Sequence, residues 1–178
     1  MTKISIDKVK LWIVFILGVG VLAALDLWLK AWAAGNLQNN PPRTLIYGLL
    51  GLRYTENTGM VFGFLSGNDW TVWVASIMTV VVMIVLLIYY YKLPTEKKSW
   101  LIRIPLIMVF AGAVGNLFDR ITIGAVRDMI EFLFMNFAIF NLADVFIVTG
   151  TISWVIFEIF IVKVHTDEKE VDPEITAD

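Results

Sequence analysis

Four long apolar runs divide the chain. The first starts at Leu11 and continues to about Ala34, with Asp26 and Lys30 as its charged positions. Trp70 to Tyr91 is almost wholly apolar, Trp100 to Phe118 is the third run, and the fourth extends from about Asn141 to Val164. A helix needs roughly 20 apolar residues to cross a bilayer. The pattern therefore predicts an all-α polytopic membrane protein with four transmembrane helices over about 11–34, 70–91, 100–118 and 141–164. Between the first two, Asn36 to Asn57 is more polar and holds Pro41, Pro42 and Arg43. Leu49 to Tyr54 reads as a short strand-like piece entering Glu56-Asn57-Thr58-Gly59, which predicts a small β-like cap rather than a second domain. Ser66-Gly67-Asn68-Asp69 is a turn, Tyr89-Tyr90-Tyr91 reads as an interfacial aromatic anchor, and Pro94 breaks the helix after it.

The whole chain, 1–178, reads as one membrane-embedded domain without internal repeats, and its charged tail, 165–178, is expected to be disordered. Lys3, Lys8 and Lys10 lie before the first span, and Lys92, Lys97, Lys98 and Arg103 lie between the second and third. Both groups fall on one side, which makes that side cytoplasmic. Both termini are then cytoplasmic, and the Asn36–Asp69 and Ile121–Phe140 segments, including the stretch between the last two spans, face the outer leaflet. A rival reading takes the first run as a cleaved signal peptide, with Leu11–Leu25 as its apolar centre and Ala31-Trp32-Ala33-Ala34 as its small-residue site. The later spans weigh against it, because a chain with several more crossings is commonly anchored by its first.

Composition narrows the chemistry. The chain is 58% hydrophobic and 17% charged, with a mean hydropathy of +0.77, figures of an integral membrane protein. A net charge of -2 offers no basic field for nucleic acid. With no cysteine, thiolate nucleophiles, disulfides and Cys metal sites are excluded. The one histidine, His165, lies beyond the last run, which argues against imidazole catalysis and His-rich metal sites. Carboxylates, amides, hydroxyls and lysines are left, and neither a metal nor a cofactor is expected.

Polar residues concentrate between Gly112 and Asp144, where Asn116, Asp119, Arg120, Asp128, Asn141 and Asp144 stand between two apolar runs. On a helix Asn116, Asp119 and Arg120 share a face. Ala111, Gly112 and Gly115 beside them would also suit a helix-packing seam finished by an interfacial Asp–Arg pair. Asn141 is a good N-cap, and Asp144 three residues on would lie in the first turn, where the helix dipole favours an anion. Asp128 could be a loop anion paired with Arg120 or Arg127. Taken together, however, two carboxylates in a poorly solvated site cannot both ionise cheaply. The charged one can then deprotonate water while the protonated one polarises a peptide carbonyl. Asp26 and Lys30 form a favourable i,i+4 pair, and Asn57-Thr58-Gly59 is a turn from which Asn57 could bind an extended peptide backbone.

Four stretches resemble the lipoprotein signal peptidase family, also called signal peptidase II. They are Asp26-x-x-x-Lys30, Asn57-Thr58-Gly59-x-x-Phe62-Gly63, the block from Gly112 to Arg120 with Gly124-Ala125-Val126-Arg127-Asp128, and Phe140-Asn141-Leu142-Ala143-Asp144. The last two are specific, and the resemblance covers almost the whole chain. It implies a bacterial inner-membrane aspartic endopeptidase that cuts the signal peptide of a prolipoprotein just before a diacylglyceryl-modified cysteine. It makes Asp128 and Asp144 the catalytic dyad. Asn57, Asn116, Arg120 and Asn141 would orient substrate or hold the dyad, with Asp26, Lys30 and Gly59 in support. Leu29, Met60 and Met129 stand where the family more often has a small hydroxyl residue, alanine and phenylalanine. The expected partners are prolipoprotein signal peptides and membrane lipid, with the enzyme a monomer. Two other functions compete: an ion or proton-coupled transporter using the outer-leaflet carboxylates, and a serine-lysine peptidase built on Ser66 and Lys30.

Overall fold

A computed structural model describes residues 6–59, 69–96 and 99–171. The four apolar runs are helices α1 (Ile6–Leu37), α2 (Asp69–Lys92), α3 (Trp100–Ile123) and α4 (Leu142–Val171). Each contains a stretch long and apolar enough to cross a membrane. Strands β1 (Arg43–Ile46), β2 (Leu50–Asn57) and β3 (Val126–Phe132) form one antiparallel sheet in that order. The positions expected at Met60, Phe62, Gly63 and Ser66 lie outside the described residues.

Helix α3 is the axis, and the other three helices each pack on it. Apolar side chains such as Leu17, Val21, Ile77, Val85, Val148 and Ile152 face outward, the side presented to lipid. Because lipid tails are as apolar as leucine, helices in a membrane associate through close contact rather than through exclusion of water. Small residues provide that contact here. A methyl group at Gly112 would collide with the Ala143 carbonyl oxygen, and one at Gly150 would sit 2.8 Å from the Pro105 carbonyl oxygen. Either substitution would force α3 and α4 apart.

At the end away from the sheet, Phe15, Leu86, Tyr90, Ile102, Leu106, Ile107 and Phe110 form the apolar core. Tyr90 is buried and donates its hydroxyl to the Leu11 carbonyl at 3.2 Å. Arg103 lies over its ring, 4.6 Å from the centroid, and donates to the Leu93 and Pro94 carbonyls at 3.0 Å each. Those carbonyls follow the end of α2, where no next turn supplies donors. The three-tyrosine anchor is thereby corrected. A rotation of about 100° per residue sends consecutive side chains in different directions, so Tyr91 is exposed, Tyr90 is core, and Tyr89 turns toward α4.

Two further expectations change. Helix α3 continues past 118 to Ile123, where Gly124 adopts φ +72° and closes the helix in the left-handed conformation that glycine takes without strain. Helix α4 runs to Val171, and residues 172–178 of the expected disordered tail lie outside the described residues. The cap also draws on two connections rather than one. The hairpin β1–β2 turns at Gly48 with φ +69°, while β3 arrives from the segment between α3 and α4 and pairs along β2.

Candidate active site

The polar residues gather where α1 and α3 end, α4 begins and β3 passes between them. Asn141 caps α4 and Asp144 sits three residues on, forming a reciprocal capping box. The Asp144 backbone N–H donates to Asn141 Oδ1 at 2.9 Å, and the Asn141 N–H donates to Asp144 Oδ2 at 3.0 Å. The Asn141 side chain has a second task, since its Nδ2 donates to Asp128 Oδ1 at 2.7 Å. One residue thus holds both carboxylates, one through its backbone and the other through its amide.

Asn57 reaches Asp128 because of a fault in the strand pairing. Leu52 pairs with Ile130, but Thr55 pairs with Asp128 and Asn57 with Val126, so β2 carries one extra residue between Leu52 and Thr55. Facing residues share a side of the sheet, and a slip of one exchanges the two sides. In unbroken register Glu56 would oppose Val126 and lie on the Asp128 face. With the bulge, Glu56 pairs opposite Arg127 and Asn57 takes its place, with Nδ2 3.4 Å from Asp128 Oδ2. Asp128 therefore meets an amide instead of another carboxylate. Gly59 completes the turn by donating its N–H to Asn57 Oδ1 at 3.0 Å.

Beneath the pair lies a fully buried ionic cluster. Lys30 Nζ is 2.8 Å from Asp26 Oδ2, 3.7 Å from Asp119 Oδ2, and donates to Asn116 Oδ1 at 2.8 Å. That same oxygen accepts from Asn141 Nδ2 at 3.1 Å, so the Asn116 Nδ2 group points to Asp144 Oδ1 at 2.8 Å. Asp26 Oδ1 in turn accepts from the Ala143 N–H at 2.9 Å in the first turn of α4. Gly115 makes room, since a methyl group there would overlap the Asp26 carboxylate. Asp119 accepts from the Arg127 backbone N–H at 3.0 Å and from Nε and Nη2 of its guanidinium. This bidentate pair clamps β3 to the end of α3.

Asp128 and Asp144 open on one cavity of about 680 Å³, lined also by Asn57, Asn116 and Arg120 and below them by apolar side chains of α2, α3 and α4. Burial pushes the Asp128 carboxyl up to about 7, and the charge of Asp144 adds to the rise; hydrogen bonds from Asn141 and Asn57 and the charge of Lys30 oppose it. The guanidinium of Arg127 is held above its ordinary range by its bonds to Asp119.

All nine residues singled out in the sequence converge on this region, but three pairings differ from the simplest expectations. Asp119 pairs with Arg127 and Lys30 rather than with its neighbour Arg120. Asp128 has amides, not Arg120 or Arg127, as its direct partners. Lys30 is enclosed by Asp26, Asn116 and Asp119, an environment for a fixed cation rather than for a base serving a serine. Arg127 supports the site through Asp119 instead of pairing with Asp128; its place directly before Asp128, on the other face of the strand, is the local signal of that role. Met129, on that same face, is buried against Ala33 and Leu37.

A family model described as signal peptidase (SPase) II matches residues 18–160. The chain is 34% identical over 146 residues to a lipoprotein signal peptidase of Clostridioides difficile, covering 82% of this chain and 95% of that protein. It is 36% identical over 160 residues to one of Enterococcus faecalis, covering 90% and 96%. One bacterial membrane enzyme solved by the in meso method shares the fold with a TM-score of 0.70 at 24% identity, over 92% of this chain and 94% of that one. A second gives 0.68 at 27% identity, over 80% and 90%.

Proposed function

Since the chain belongs to the signal peptidase II family, we propose that it is an aspartic endopeptidase that removes signal peptides from bacterial prolipoproteins, cutting before the diacylglyceryl-modified cysteine. The observation that carries the mechanism is Asn141 binding Asp128 with its side chain and Asp144 with its backbone at the head of one cavity.

Asp144 acts as the base. Both of its oxygens accept hydrogen bonds, from Asn116 and from the Asn141 N–H, at the positive end of α4. It takes a proton from water as the water oxygen bonds to the scissile carbonyl carbon. Asp128, which holds its proton up to about pH 7, gives it to the carbonyl oxygen, and a tetrahedral diol results. On collapse the C–N bond breaks, Asp144 passes its proton to the leaving nitrogen, and Asp128 recovers one from the diol as the carbonyl reforms. Arg120 in the cavity wall lies within electrostatic reach of both carboxylates and holds the single negative charge of the pair. No step calls for a metal.

The active site lies at the outer leaflet with both termini cytoplasmic. Lys8, Lys10, Lys92 and Arg103 at the end opposite the sheet support that orientation. An ion-transport reading has less support, because the cavity wall below the dyad is apolar.

The test is cleavage of a diacylglyceryl-cysteine precursor peptide by purified protein in detergent, comparing wild type with Asp128→Asn and Asp144→Asn. Each substitution removes cleavage while the protein stays folded, and EDTA has no effect. Undiminished activity in either variant, or loss on chelation, contradicts the mechanism.

A further inference from the structure

Glu158 is a carboxylate near the inner end of the apolar part of α4, and the proposed reaction does not use it. An ionisable side chain within a span is costly and calls for a partner and a purpose. Its partner is Tyr89, whose hydroxyl donates to Glu158 Oε2 at 2.6 Å, and the Tyr89 ring lies 5.3 Å from the ring of Trp154. Tyr89 belongs to α2; Glu158 and Trp154 belong to α4. These two helices pack chiefly on α3, and the catalytic cavity opens between them.

The position of this bridge is informative. Along α2 the cavity is lined from Met78 to Leu86, and Tyr89 follows one turn below Leu86. Along α4 the bridge lies 14 residues beyond Asp144, about 21 Å at the helical rise of 1.5 Å per residue. The walls between offer no free polar group from their two threonines: Thr79 donates to the Ala75 carbonyl at 2.8 Å and Thr149 to the Val145 carbonyl at 2.5 Å. The space is thus an apolar cleft with the dyad at its mouth; its lining reaches Leu86 on α2 and Thr149 on α4, and the bridge joins the same two helices beyond that inner end.

A closed end selects the occupant. A signal-peptide helix has to continue to the far side of the membrane, and a cylinder about 10–12 Å across does not pass where Tyr89 touches Trp154 and Glu158. An acyl chain instead enters beside the modified cysteine and ends within the hydrocarbon core, which is ~30 Å thick in all. Resting on the function proposed above, we infer that Tyr89 and Glu158 form the floor of an acyl-chain cleft and set the longest diacylglyceryl chain the enzyme accepts. The aromatic stack and the hydrogen bond hold the floor shut, and removing either lets a longer chain descend.

The experiment measures kcat/KM for precursor peptides of one sequence carrying short, ordinary and extra-long acyl chains, with wild type, Tyr89→Ala and Glu158→Ala. Wild type is expected to discriminate against the extra-long chain. The two variants should recover it by roughly tenfold, the scale of discrimination that a few methylenes provide in an apolar pocket, with cleavage of ordinary chains little changed. Glu158→Ala keeps the ring contact and serves if Tyr89→Ala unfolds. A parallel series varies the apolar segment of the signal peptide at fixed acyl length. Superimposable acyl-length profiles in folded variants overturn the floor, as does a change confined to the peptide-length series. Failure of wild type to cleave every lipid-modified peptide overturns the peptidase reading itself, and this inference with it.

Discussion

On the two sides of α3, carboxylates are treated in opposite ways. Toward α1 and the base of β3, Asp26 and Asp119 are completely buried and faced by cations, Lys30 and Arg127. Toward the cavity, Asp128 and Asp144 are faced by the amides of Asn57, Asn116 and Asn141, and among the described residues neither makes an ion pair within 4 Å. A cation beside a buried carboxylate offsets the cost of burying its charge, whereas an amide donor orients it without adding a charge of its own. The first pair of acids builds the site, and the second is the pair proposed to perform its chemistry. Lys30 and Asn116 join them, because the ammonium on one side sets the direction of the amide on the other.

The contrast breaks most visibly if substitutions on the two sides have the same effect. Asp128→Asn and Asp144→Asn should lower the cleavage rate by about 10²–10⁴-fold or more, the scale of general acid–base catalysis. Their unfolding in detergent should hold at the wild-type level or improve. Lys30→Met should do the reverse in kind and cost about 3–5 kcal/mol of stability, because it leaves buried carboxylates uncompensated; chemical denaturation checks this. A stable Lys30→Met protein would erase the distinction between the two sides.

Smaller effects sharpen it. Asn141→Ala removes the α4 cap, worth about 1–2 kcal/mol, and frees both carboxylates, so its loss of kcat should exceed what that destabilisation explains. The pH dependence separates the two sides again. Asp128 is raised from 3.8 to about 7, so the native state holds its proton more tightly than the unfolded chain does. Its contribution makes the protein most stable below about pH 4, less so as pH rises from 4 to 7, and level above that. Asp128→Asn should remove this slope, seen in denaturation midpoints across the range. The rate should fall on the alkaline side of about pH 7 as the proton leaves the pair.

Much of this was legible in the residues. The spans follow from apolar run lengths, and the α4 cap from an Asn with an Asp three residues later. The proposal of a dyad rests on combining two aspartates that are each ordinary alone. Other features depend on contacts distant in sequence. Strand β3 has no clean alternation, and its partner β2 lies on the far side of two helices, so nothing local marks Val126–Phe132 as a strand. The bulge that gives Asp128 an amide instead of the Glu56 carboxylate is a property of two strands in register. Arg127 and Asp119 meet across the turn at Gly124, eight residues apart, outside any helical spacing. Tyr90 shows the converse, since three tyrosines at a span end satisfy an interfacial pattern while only tertiary packing assigns one of them to the core.

The most direct measurement of the division between cation-held and amide-held acids is a titration of the Asp128 carboxyl, followed by carboxyl-carbon NMR of aspartate-labelled protein in detergent. The account predicts a midpoint near 7 that moves down in Asp144→Asn, where the neighbouring charge is gone but burial remains. A midpoint near the ordinary 3.8, or one indifferent to Asp144→Asn, would contradict it.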